Sequence, residues 1–165
     1  MDIKLKQKLQ EEFHWLCEKY SLRELTIDLA LRDATIFNEG KNEAFICDSI
    51  EKGNLQTTLC ISYSKDSSLS KTDLLVLRKY LKVHSHLPFW YLYHEYGHLL
   101  EVDKIVHKHG IAEANSYITA QLKSVDSLIT SIKSEIKYKE LAMEKSADLF
   151  AINTYMNRVK ELMFF

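Results

Sequence analysis

A chain of 165 residues can bury one sizeable core and is short for two, so a single domain over residues 1–165 is expected. It is 46% hydrophobic and 27% charged, with a formal net charge of -1, the balance of an ordinary globular protein. Near-neutral charge gives no basic footprint for nucleic acid, and the longest uncharged apolar run near the centre, LPFWYLY, is far too short to span a bilayer.

The first residues, MDIKLKQKLQEEFHW, are charged and amphipathic and carry no apolar run ahead of a cleavage site. No signal peptide is expected, and the compartment reads as cytoplasm. Cys17, Cys47 and Cys60 are scattered without metal-type spacing, which fits reduced thiols there. Over residues 3–20, Ile3, Leu9, Phe13, Leu16, Cys17 and Tyr20 recur at three- and four-residue spacings and predict an amphipathic helix.

From 24 to 63 the texture changes to short β-branched and aromatic runs: ELTIDLAL, ATIF, EAFICD and LQTTLCISYS. With NEGKN and EKGN between the later ones, they predict three or four strands of a small antiparallel sheet. Ser70 with Asp73 three residues on predicts a helix start, followed by TDLLVLRKYLKV. Ser85 and Pro88 mark the next start. Leu87, Trp90, Tyr91, His94, His98, Glu101 and Ile105 then fall on one stripe that Gly110 closes. Residues 111–164 lack proline and glycine and predict two long helices with a break near 134–139. The fold class is therefore α+β: a small sheet near the N-terminus, then a helical remainder.

The stripe contains YLYHEYGHLL. On a helix, His94 and His98 lie on one face about 6 Å apart along the axis, so both imidazoles can reach one ion. Zinc favours such neutral nitrogens, and a catalytic site needs a third protein ligand plus one open position. Glu95 is rotated about 100° from His94, off the ligand face, where it can take a proton from water activated at the metal. Six of the seven histidines fall between 84 and 109, so spacing alone is weak and the third ligand matters more.

Glu101 shares the stripe, but it would have to reach back along a straight helix, and a solvated or salt-bridged acid is the commoner fate. Glu101 and Lys104 also exclude the metzincin continuation, which needs glycine and histidine there. The better candidate lies in ELAMEKSADLFAINTYM, where Glu144 and Asp148 are four apart and Ala147 and Ala151 flank them. Small residues there, facing Gly97, would let the two helices approach closely. Glu144 can then complete a His2Glu site, and Asp148 can receive the second ring N–H of a ligand histidine.

HEYGHLL followed by EKSADLFA resembles the ImmA/IrrE family of gluzincin-like metallopeptidases, whose members carry HE-x-GH and later E-x-x-A-[N/D]-x-F-A. That resemblance implies a zincin-like fold, Zn2+ as cofactor, His94, His98 and Glu144 as ligands and Glu95 as the base. It implies an intracellular protein substrate, with a helix-turn-helix transcriptional repressor among the targets, often in phages and mobile elements. Some members are regulators without clear proteolysis, so a zinc-stabilised binding module acting on a transcription factor is the alternative. The chain departs from the pattern in Glu101 and Val102, where another histidine is common, and in a longer spacing between the two motifs.

In such sites an extended substrate adds along an edge strand. LQTTLCISYS is the natural candidate, with an ordinary sheet strand equally open. Tyr91, Tyr93, Tyr96, His86, His107 and Tyr155 are all conceivable donors to the oxyanion. His107 and His109 are expected to favour the C-terminal end of their helix. LKSVDSLITSIKSEIK reads as a bundle helix with one solvated face, with partner binding as the rarer alternative.

Overall fold

The computed structural model describes residues 1–37, 41–51, 54–81, 83–126 and 141–162. The first helix, α1 (Ile3–Lys19), starts at Asp2, whose carboxylate accepts the Lys4 backbone N–H at 3.1 Å. Its apolar stripe, Leu5, Leu9, Phe13 and Leu16, is buried. One charge shares that stripe. Glu12 accepts Arg158 Nη2 at 2.6 Å, Arg158 Nε at 3.0 Å and the Tyr93 hydroxyl at 2.9 Å, so its burial is fully compensated.

Strands β1 (Leu25–Asp33), β2 (Glu43–Glu51) and β3 (Asn54–Tyr63) form one sheet in the order β1-β3-β2. β2 and β3 pair antiparallel, as expected, but β1 runs parallel to β3, so the sheet is mixed rather than antiparallel. β3 takes the centre because its C-terminal half is apolar or compact on both faces. Leu59, Cys60, Ile61, Ser62 and Tyr63 are all buried, and only a central strand can bury both sides. LQTTLCISYS is therefore not an edge strand; among the described residues the edges belong to β1 and β2.

The run ATIF is not a strand either. It forms the short helix α2 (Ala34–Phe37), because Asp33 Oδ1 accepts both the Thr35 backbone N–H at 3.0 Å and its hydroxyl at 2.6 Å. That local capping pattern competes with strand continuation.

The capping box predicted at Ser70 is present. Asp73 N–H donates to Ser70 Oγ at 3.0 Å, Ser70 N–H donates to Asp73 Oδ2 at 2.9 Å, and α3 (Lys71–Lys79) follows. A 3-10 turn over His84–His86 leads into α4 (Leu87–His109), with Pro88 in its first turn. This helix is the axis of the molecule. Leu87, Phe89, Leu92, Tyr93, Tyr96 and Leu99 join Leu9, Leu16, Leu59 and Ile61 in the core. Asp103 ties its far end to the start of β1 by accepting the backbone N–H groups of Arg23 and Glu24 at 2.9 and 2.8 Å.

Gly110, at φ 85°, ends α4 in a conformation that favours glycine, and α5 (Ile111–Asp126) follows. Its Tyr117 donates to Glu101 at 2.6 Å, so Glu101 serves the contact between α4 and α5. The helix α6 (Ala142–Leu162) packs along α4. The break expected near 134–139, and most of the LKSVDSLITSIKSEIK segment, lie outside the described residues. Among the described residues no helix is long and apolar enough to cross a membrane.

Candidate metal centre

His94 and His98 project from one face of α4, with their Nε2 atoms 3.1 Å apart. Glu144 lies in the first turn of α6, where the helix dipole favours a carboxylate. Its Oε2 is 3.4 Å from His94 Nε2 and its Oε1 is 3.2 Å from His98 Nε2. Ligands held about 2.05 Å from a tetrahedral ion stand roughly 3.3 Å from one another. The three donors therefore have the spacing that one small cation requires. All three residues are buried, Glu144 to 1% exposure.

The electrostatics agree with that use. Burial alone would raise the Glu144 pKa, but the hydrogen bonds and charge of His94 and His98 outweigh it and hold the carboxyl well below the usual carboxylate range.

Backbone proximity makes the convergence possible. A Cβ on Gly97 would stand 3.0 Å from Ala147 Cα and 3.3 Å from its carbonyl oxygen. Any residue but glycine would push α6 away from α4. Ala147 and Ala151 are fully buried in the same seam, so the small-residue face read from the sequence is the packing face.

Asp148, one turn after Glu144, brings Oδ1 to 2.9 Å from His94 Nδ1. A carboxylate facing Nδ1 at that distance favours the imidazole tautomer whose Nε2 can ligate. His98 Nδ1 is buried and meets no hydrogen-bond partner among the described residues. Glu95 is off the ligand face, as its position after His94 dictates. With His94 and Glu144 it lines a cavity of about 230 Å3, whose opposite wall is formed by α3 and the start of β2.

The remaining sequence candidates disperse. Glu101 is not among the three converging donors. Tyr93 donates to Glu12 and Tyr96 to the Tyr20 carbonyl, both in the core. His86 Nδ1 pairs with the Tyr155 hydroxyl at 2.9 Å, and His107 pairs with Glu24 at 2.7 Å at the exposed end of α4. Tyr91 does line the cavity, but its hydroxyl donates to Asp73 Oδ1 at 2.5 Å. That acceptor and burial push the phenol's pKa far up, burial contributing most.

The sequence reading missed the far wall: Asn42, Glu43, Thr72, Asp73 and Val76. Asn42 and Glu43 sit beside a turn signal and Asp73 in a helix cap, so each had a sufficient local explanation. Only tertiary placement brings them to the site. No family model, no curated protein and no solved structure matches this chain.

Proposed function

We propose that the chain is a zinc-dependent endopeptidase of the ImmA/IrrE type, acting on an intracellular protein with a transcriptional repressor as the expected target class. The observation that carries this reading is one arrangement: two imidazole nitrogens and a carboxylate converge at 3.1–3.4 Å, and Glu95, outside that set, lines a cavity together with His94 and Glu144. Two imidazoles and one carboxylate suit zinc among the common cations. A metal held only for structure is normally enclosed by four protein ligands, whereas three ligands at a cavity suit catalysis.

His94, His98 and Glu144 would hold the ion, which supplies Lewis acidity for a peptide carbonyl and for water. The chain's own residues do the rest. Asp148 orients His94. Glu95 takes the proton from the attacking water and returns it to the leaving nitrogen as the peptide bond breaks. The cavity borders the start of β2, an edge strand, which can receive an extended substrate in the place first expected of β3. The free thiols Cys17, Cys47 and Cys60 suit a reducing cytoplasm.

The test compares the zinc-loaded parent with Glu95→Gln on a mixture of peptides of diverse sequence, with cleavage read by mass spectrometry. The substitution keeps size and leaves the ligands in place but cannot accept the proton. Cleavage should fall by about 10² to 10⁴ while zinc content and melting temperature stay unchanged. Equal cleavage by both proteins, or none by the parent, would remove the enzymatic reading and leave a metal-held binding module.

A further inference from the structure

Cys47 on β2 and Cys60 on β3 are brought to one face of the sheet by its register. Cys47 pairs with Thr58 and Cys60 with Phe45, so the two cysteines are diagonal neighbours across the antiparallel pair. Leu59 and Ile61, on either side of Cys60, belong to the core. Alternation therefore turns both thiols to the opposite face, away from the core and the metal centre.

The contact between them is sulfur to sulfur, and it distinguishes the two groups. Burial, above all, pushes the Cys60 thiol's pKa up. The negative charge that Cys47 can carry adds to this, Arg32 on β1 opposes it, and the hydrogen bond with Cys47 raises it further. A hydrogen bond that raises the Cys60 pKa is one in which Cys60 S–H donates and Cys47 Sγ accepts. Accepting a hydrogen bond favours the thiolate, which is the nucleophilic form. Exposure divides them the same way: Cys47 is exposed, while Cys60 is only 1% exposed. Cys47 thus meets dissolved reagents, and Cys60 stands behind it with a proton to give. Diagonal neighbours lie near the outer limit of what a disulfide spans. Here the sulfurs are already in contact, and β2 is an edge strand that can close on β3 without disturbing the core.

We propose that Cys47 and Cys60 form a reversible redox-modification site that takes a hydroperoxide as its oxidant. The Cys47 thiolate attacks one peroxide oxygen and the O–O bond breaks. Cys47 becomes a sulfenic acid, and the peroxide is reduced to water or an alcohol. Cys60 sulfur then attacks Cys47 sulfur. The S–S bond forms, the S–O bond breaks, and hydroxide leaves as water with the Cys60 proton. The product ties the edge strand covalently to the centre of the sheet, and a dithiol reductant reverses it.

The experiment treats the reduced full chain with hydrogen peroxide and stops the reaction with N-ethylmaleimide in urea. Trypsin cutting after Lys41, Lys52 and Lys65 leaves the two cysteines on separate peptides, which are mapped by mass spectrometry without reduction. Cys47 and Cys60 should lose alkylation together, their peptides should appear joined, and Cys17 should stay alkylated. Dithiothreitol should restore both thiols. Cys60→Ser removes the second thiol, so Cys47 should accumulate as sulfenic acid that dimedone captures. Cys60→Ala, which adds no polar group at a buried position, should do the same. Cys47 found as sulfinic acid in the parent, with Cys60 still alkylated, would overturn the proposal. So would a disulfide that joins two chains or includes Cys17, or a Cys47 that stays alkylatable under peroxide that oxidises free cysteine. Dimedone capture no greater in the two Cys60 variants than in the parent would overturn it as well, because Cys60 would then not be the resolving thiol.

Discussion

The 2.9 Å separation between His94 Nδ1 and Asp148 Oδ1 joins two residues that are 54 positions apart in sequence, and it governs how well the imidazole can serve a metal. A carboxylate there holds the proton on Nδ1 and raises the basicity of Nε2. Asp148→Asn keeps the size and one oxygen but removes the charge. Zinc affinity should drop about ten- to a hundredfold in a competition titration, with the fold retained, because the Asp148 side chain is partly exposed. Unchanged affinity would make Asp148 an ordinary surface acid. Glu101→Gln is the contrast: its carboxylate accepts Tyr117 and takes no part in the convergent set, so zinc affinity should hold. At this scale the convergence of His94, His98 and Glu144 was legible, because spacing on a helix converts directly into a shared face, with Glu95 at the cavity beside it and Asp148 near His94. Asn42 was not, since nothing in a one-dimensional pattern tells that its amide oxygen accepts the Ser64 backbone N–H at the wall of the cavity.

Between elements, the seam of α4 against α6 depends on Gly97. Gly97→Ala sets two effects in opposition. Alanine improves helix propensity by about 1 kcal/mol, while overfilling a packed contact costs about 1–3 kcal/mol. The added methyl would meet backbone, Ala147 Cα at 3.0 Å, which cannot rotate away as a side-chain tip could. The packing cost should win. Net destabilisation of about 1 kcal/mol is expected in urea titrations, with weaker zinc binding because Glu144 rides on the displaced helix. Zinc affinity equal to that of the parent would mean that the seam tolerates the shift. The helices carrying this seam were readable from periodicity and, for α4, from the Pro88 start signal. The order of the sheet was not. Alternation predicts strands but not neighbours, and the central place of β3 follows from how many faces it buries, a property of the assembled molecule. Asp33 turned ATIF into a helix by a local capping bond that outweighed the β-branched composition.

Across the whole molecule, two of the polar contacts that tie α6 to the rest act as clamps near its ends. One is the candidate metal centre at its N-terminal end. The other is Arg158, which grips Glu12 of α1 in a bidentate pair beneath Tyr93 and stacks over Trp15 at 4.4 Å. The 14 residues from Glu144 to Arg158 span about 21 Å of helix, far enough for the clamps to act independently. Arg158→Met strands the buried Glu12 carboxylate and should destabilise the protein by about 3–5 kcal/mol. The metal clamp behaves differently, because it is conditional. His94 and His98 reach Glu144 only in the folded chain, so zinc that binds this set favours the folded state by mass action. Free zinc at a hundred times its dissociation constant should add about 2.7 kcal/mol to the unfolding free energy, and a chelator should remove the whole increment. Glu144→Gln should abolish the zinc-dependent shift. Glu95→Gln should keep it, since that residue is outside the ligand set, and Arg158→Met should keep it on a lowered baseline. The measurement is the urea midpoint of the parent and the three variants, with zinc and with chelator. A shift that survives Glu144→Gln undiminished, or is absent from the parent, would show that the ion does not bridge α4 and α6. The metal centre and the peptidase reading built on it would then fail together.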